Sequence, residues 1–333
     1  VPDILQWEEI KSDYQNGALI LGNGASIAVH PKFGYPSLRE AATESKALSP
    51  SVDGIFEAFG TDDFELVLRR LWQATLVNQA LQVEPGAVEH AYREVRAALI
   101  TTVRNIHISH NDALHHFEPI YSFMKDFRTV LSLNYDLVVY WSMLAGNHSL
   151  GQWFKDGFLR GDFIEDWKKL RKPYRADDAT LVFYPHGNLI TARQANQTEL
   201  KLSADEDSLL ARILEAWESE NVVPLFVCEG TSMDKRRSIN SSNYLSRVFR
   251  EVIPNVEPTL VIYGWSMSDH DQHILDQLKH ARLRRIAVSI YQNNEDDAKR
   301  IRAKLTRLQM PEPVFFDAES PGCWIHAAQE EAA

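Results

Sequence analysis

Four short groups of residues in this chain carry the functional groups of chemistry. Ala18-Leu19-Ile20-Leu21 runs directly into Gly22-Asn23-Gly24-Ala25-Ser26. An apolar strand that delivers a glycine turn to a helix start is a common way for backbone N–H groups to approach a phosphate. The third glycine of the fingerprint G-x-G-x-x-G is missing, because Ile27 stands in its place. Gly34-Tyr35-Pro36-Ser37-Leu38-Arg39 supplies a second turn, and its arginine has the geometry to pair with a phosphate through two hydrogen bonds. Ser132-Leu133-Asn134-Tyr135-Asp136 places an asparagine and an aspartate two apart. Either they face a ligand or they cap a helix beginning near Leu137. Tyr184-Pro185-His186-Gly187-Asn188 presents a histidine, the side chain that titrates near neutral pH, as a candidate general base. A histidine hydrogen-bonded within a turn is the plainer alternative.

Short apolar runs must position these groups. They are expected as strands at 18–21, 129–133, 181–184, 222–227 (interrupted by Pro224), 260–263 and 286–290. Helical patterns such as SSNYLSRVFREV and HDQHILDQLKHA lie between them. Strands alternating with helices predict an α/β fold: a Rossmann-like, mostly parallel sheet with helices on both faces. Ligands of such sheets bind outside the carboxyl ends of the strands, where the small and polar residues fall here. FELVLRRLWQATLVNQALQ and VEHAYREVRAALITTVRNI repeat apolar residues at three- and four-residue spacing, with a break at Val83-Glu84-Pro85-Gly86. They predict a helical insertion over 46–125 within one domain spanning 1–333. An Asp/Lys/Arg-rich stretch near 165–180 reads as a loop.

Composition narrows the function classes. The 333 residues include 35 basic and 46 acidic side chains, for a formal net charge of -11, so no general attraction to nucleic acid is expected. The two cysteines, Cys228 and Cys323, cannot build a disulfide framework or a four-cysteine zinc site. No run approaches the roughly 18 apolar residues of a membrane helix, and VPDILQWEEIKSDY lacks a signal-peptide pattern. A cytoplasmic protein without membrane contact is the expectation. His107, His110, His115 and His116 form no complete ligand set. Asp269, His270, Asp271 and His273 read as the acidic first turn of a helix. No metal is expected.

Taken together, the four groups resemble the sirtuin-like family of NAD-consuming domains. That family runs through a Gly-x-Gly-x-Ser turn, a Gly-x-Pro-(Asp/Ser)-x-Arg segment, a strand ending Asn-x-Asp and a strand ending His-Gly. The same order occurs at Gly22–Ser26, Gly34–Arg39, Asn134–Asp136 and His186-Gly187. Gly264-Trp265-Ser266 resembles the family's later Gly-x-Ser turn, and Ile290 to Asn294 falls where its last cofactor-facing strand ends. The resemblance implies NAD as substrate, bound by Gly22, Asn23, Gly24, Ala25, Ser26, Arg39, Gly264, Ser266 and Asn293. It implies Ser26 and neighbouring amides on the pyrophosphate, and Asn134 on the nicotinamide ribose or an attacking water. Asp136 would hold the carboxamide, and His186 would serve as general base.

The chain lacks the zinc ribbon of the family's deacylases. It is therefore similar to the branch that hydrolyses NAD outright, many of whose members act in bacterial anti-phage defence. It is also similar to a branch known only as a domain of unknown function, marked by a Val-Cys-Glu-Gly-Thr-like strand end and a Tyr-Gly-(Trp/His)-Ser segment. The function implied is a regulated NAD glycohydrolase, held latent through a homo-oligomer or an activating partner. A non-catalytic module sensing NAD or ADP-ribose is the alternative, and a zinc-free deacylase ranks last.

Overall fold

The computed structural model describes residues 3–35, 37–84, 86–171, 179–194, 197–219, 222–227 and 230–327. Pro36, Pro85, Cys228, Glu229 and part of the 165–180 stretch lie outside the described residues. The strands in chain order are β1 (Ile4–Leu5), β2 (Ala18–Leu21), β3 (Thr129–Ser132), β4 (Phe154–Asp156), β5 (Phe158–Leu159), β6 (Asp162–Phe163) and β7 (Thr180–Phe183). They continue with β8 (Gly187–Gln194), β9 (Glu199–Lys201), β10 (Val222–Phe226), β11 (Thr259–Tyr263), β12 (Arg285–Ile290) and β13 (Pro313–Asp317).

Among the described residues, eight of these strands form a sheet in the order β1-β13-β12-β11-β2-β3-β7-β4. Every neighbouring pair in it is parallel. Residues of β2, β3 and β7 are buried along their whole length, as a parallel sheet covered on both faces requires. The chain moves outward from β2 to β3 and β7, then returns to lay β11 on the other side of β2. The strand order reverses between β2 and β11, which opens a crevice at their carboxyl ends. This is the α/β, Rossmann-like architecture that the sequence predicts.

One expected strand lies elsewhere. Residues 222–226 form β10, which pairs antiparallel with β8 at the margin of a second sheet of order β10-β8-β9-β6-β5. Pro224 explains the placement: proline has no N–H to donate and is tolerated on a sheet edge. The second sheet was not anticipated, since β5, β6 and β9 are only two or three residues long.

Between β2 and β3 the two amphipathic patterns form helices Phe64–Ala80 and Gly86–Ile106. Asp63 caps the first by accepting from the Glu65 and Leu66 amides at 3.0 and 3.4 Å. Buried Arg193 of β8 ties this helix to the second sheet through Glu65 at 3.4 Å and Glu199 at 3.1 Å. Leu71, which the amphipathic pattern leaves open as a surface position, is buried. Leu76, Val77, Leu81 and Val83 are exposed. Among the described residues no helix is long and apolar enough to cross a membrane.

Candidate functional site

The crevice at the strand reversal is a cleft of ≈ 830 Å³. Gly22, Asn23 and Gly24 line it after β2, Leu133 to Asp136 after β3, His186 after β7, and Gly264, Trp265, Ser266 and Ser268 after β11. Four strand ends thus bring most of the predicted site residues to one place.

The glycine turn does not stand open toward the cleft. The Gly22 N–H donates to the Tyr263 carbonyl at 3.0 Å, Gly24 to Gly264 at 2.7 Å, and Ala25 to Gly22 at 2.9 Å. A Cβ on Gly22 would lie 2.5 Å from the Trp265 Cα, and one on Gly24 would lie 2.8 Å from the Gly264 carbonyl oxygen. Gly264 adopts φ +64°, and a Cβ there would lie 2.3 Å from the Ala25 nitrogen. These glycines let two backbone turns meet. Trp324 locks the arrangement from behind, its indole donating to the Ala25 carbonyl at 2.8 Å. The amides of Gly22, Gly24 and Ala25 are therefore engaged inside the protein rather than presented as a phosphate cradle.

Ser26 is buried beside them and does not line the cleft. Its hydroxyl donates to Asp136 Oδ2 at 2.5 Å and accepts from Asn134 Nδ2 at 2.8 Å. Asn134 also donates to the Gly22 carbonyl at 2.9 Å. Asp136 Oδ1 accepts from the amide of Val138, the first residue of the helix Val138–Leu150, at 2.9 Å, and Asp136 also lines the cleft.

His186 sits at the other end in a chain of side chains. Its Nε2 lies 2.9 Å from Nε2 of His273. His273 Nδ1 lies 3.3 Å from the Ser232 hydroxyl. Of the two facing nitrogens one carries the proton and the other accepts it. Burial pushes His186 down to about 3 and His273 down to about 4, with Lys235 adding to the effect on both. The Nε2 of His186, the nitrogen a general base would use here, is thus engaged by His273. Lys235 Nζ donates to Asp271 Oδ1 at 2.8 Å, and the Trp265 indole donates to Oδ2 at 3.2 Å. Burial opposes ionisation of the Asp271 carboxyl, but His186, Lys235 and Trp265 outweigh it and hold it below the usual carboxylate range.

Besides Ala25 and Ser26, two further predicted residues, Arg39 and Asn293, lie off the cleft. Arg39 pairs with Asp53 at 2.8 Å and with Asp62, and its guanidinium stacks on Phe56. It braces the helical segment, while Asp62 and Glu40 reach the cleft lining. Asn293, at φ 52°, is exposed beyond β12 and is not among the lining residues. Lys235 and Ser232 carry no signal in the sequence reading, whereas Trp265 and Tyr35 lie within its quoted turns without a role of their own. Lys235 and Ser232 follow Thr231, whose capping box with Asp234 marks a helix start but gives no hint of a site. Asp271 and His273 were assigned only to a helix turn, yet with His186 they place three ligand-capable atoms within 4.8 Å of one another.

Comparison with known proteins adds one assignment. A solved structure titled "Structural Basis for the Mechanism and Regulation of Sir2 Enzymes" is similar at 10% identity over 93% of this chain and 92% of that one, with a TM-score of 0.34. No curated protein matches. Residues 19–324, nearly the whole described chain, match the family described as "Domain of unknown function (DUF4917)". The chain belongs to the DUF4917 family.

Proposed function

We propose that the cleft binds NAD and hydrolyses it to nicotinamide and ADP-ribose. The observation that carries this reading is the convergence of Asn134, Asp136, His186 and the Gly264–Ser266 turn on one cleft of ≈ 830 Å³ at the strand reversal. That volume lies in the range of small-molecule and cofactor sites, and the position is where doubly wound sheets hold ligands.

The reaction breaks the bond between the nicotinamide nitrogen and the ribose C1′. The bonding electrons go to the ring, which leaves neutral, and the ribose acquires oxocarbenium character. Water then adds at C1′ and gives up a proton. Such chemistry needs a fixed ribose, a held water and exclusion of solvent. Asn134 is held by Gly22 and Ser26, so its remaining amide oxygen has a fixed direction for a ribose hydroxyl or a water. Asp136, anchored by Ser26 and Val138, offers a carboxylate edge to the carboxamide. His186 would accept a hydrogen bond at Nε2 once His273 yields that nitrogen. With the Gly22 and Gly24 amides engaged, Lys235 is the one lysine or arginine among the described lining residues to meet a pyrophosphate. Unrestrained NAD hydrolysis would be toxic to its host. The biological reading is accordingly a latent NAD-depleting effector of bacterial antiviral defence, released through self-assembly or a partner.

The engagement of His186 Nε2 by His273 favours a second reading, in which the cleft binds NAD or ADP-ribose without turnover. Variants Asn134→Ala and His186→Ala decide between them. Under the hydrolase reading each lowers nicotinamide release ~10²- to 10⁴-fold with the fold retained. NAD binding without release by the parent protein would establish the sensing module instead.

A further inference from the structure

We propose that His186, His273 and Asp271 form a site for one divalent transition-metal ion of the zinc class, open on the cleft side. The three side chains come from separate places, the end of β7 and the turn and helix after Ser268, yet their ligand atoms gather within 4.8 Å. Two histidines and a carboxylate are a common donor set for such ions, with the remaining position left to water or a ligand. His186 and Asp271 line the cleft, so the open position faces it.

Imidazole nitrogens bound at about 2.0–2.1 Å lie roughly 2.9–3.4 Å apart at coordination angles between square and tetrahedral. The two Nε2 atoms stand 2.9 Å apart but face each other along their hydrogen bond, so both rings must turn for their lone pairs to converge on an ion. Ligating histidines characteristically bond their second nitrogen to a carbonyl or another polar group, which fixes ring orientation. His273 has such a partner in the Ser232 hydroxyl. Ion entry requires the proton between the two Nε2 atoms to move to the Nδ1 of its own ring, and on His273 the Ser232 oxygen is placed to accept it there. Asp271 has about four lone-pair positions, of which Lys235 and Trp265 occupy two. Lys235 is the opposing element, since its ammonium 2.8 Å from the carboxylate repels a second cation. The site is therefore tuned to moderate affinity, and an anionic group arriving in the cleft would relieve that repulsion.

The inference does not depend on the NAD reading, because its test contains no nucleotide. Full-length protein stripped with a chelator is titrated with Co²⁺ while its visible ligand-field absorption is followed, and Zn²⁺ is then added in competition. The expected result is saturation at one ion per chain, with Zn²⁺ displacing it. His273→Ala should weaken binding ~100-fold or more, and Ser232→Ala, which only orients His273, by about 10-fold. Lys235→Gln should change affinity in the opposite direction and tighten it. Should His273→Ala fail to fold, His273→Gln and Lys235→Gln carry the test. Absence of saturable binding to the folded protein, or unchanged affinity in the His273 and Lys235 variants, would overturn the proposal and leave the two rings joined by a shared proton alone.

Discussion

At one end of the cleft, Gly22, Gly24 and Gly264 allow two backbone turns to touch, with main-chain hydrogen bonds of 2.7–3.0 Å closing the gap. At the other, His186, Ser232, Lys235, Asp271 and His273 come from three parts of the chain and meet mainly through side chains, with the His273 amide also donating to the Ser232 hydroxyl at 2.9 Å. The first end is closely packed because no side chain would fit between its turns. The second is held by charge and hydrogen bonding, and Trp265 joins the two, packed on Gly22 and donating to Asp271. A motif that suggests phosphate binding can therefore serve close packing.

Breaking the histidine end should have the largest effect on stability. Lys235→Ala leaves the mostly buried Asp271 carboxylate without its cation, and removing one partner of such a pair costs about 3–5 kcal/mol. Urea unfolding measures this, and a loss below about 1 kcal/mol would show that the pair is well solvated. Gly264→Ala tests the glycine end. The new Cβ would press on the Ala25 nitrogen from a left-handed backbone, and overpacking together with that conformation costs about 2–5 kcal/mol. An unchanged midpoint would mean that the two turns separate freely.

The contrast also explains what the sequence could disclose. Gly22–Ser26, Asn134–Asp136 and His186 were legible because each group sits within a few residues of a strand end, and a parallel sheet must bring such ends together. Arg39 was misplaced because the pattern around it gives no sign of Asp53 and Asp62 as its partners. The pairing of Lys235 with Asp271 spans 36 positions, and Ser232 reaches His273 across 41, so no local pattern carries either. The parallel sheet was legible from its buried runs, whereas the short strands β5, β6 and β9 have too little periodicity to register. Pro224 marked β10 as a strand of a different kind, and edge placement was its physical meaning.

A smaller effect concerns His107, which packs behind the Asn-x-Asp turn. Its Nδ1 donates to the Ile108 carbonyl at 2.8 Å and its Nε2 accepts the Leu137 amide at 3.1 Å. Burial lowers its pKa, so the folded state resists a proton that the unfolded chain accepts near pH 6.5. The unfolded state then binds more protons below that pH. Stability should be fully present above about pH 6.5 and fall as pH drops toward the folded value, by up to about 1.4 kcal/mol per unit. Comparing unfolding at about pH 7.5 and about pH 5.5, His107→Gln should show a shallower decline than the parent protein. Parallel declines would mean that His107 protonates equally in both states.

Whether the cleft cleaves NAD, as proposed, is read by incubating the purified protein with NAD and separating the products by chromatography. Nicotinamide and ADP-ribose are expected in equal amounts, at a rate that rises on self-assembly or on addition of an activating partner and falls ~10²- to 10⁴-fold in Asn134→Ala. Intact NAD under every condition, assembled or not, with the nucleotide bound in the cleft by calorimetry, would contradict the proposal.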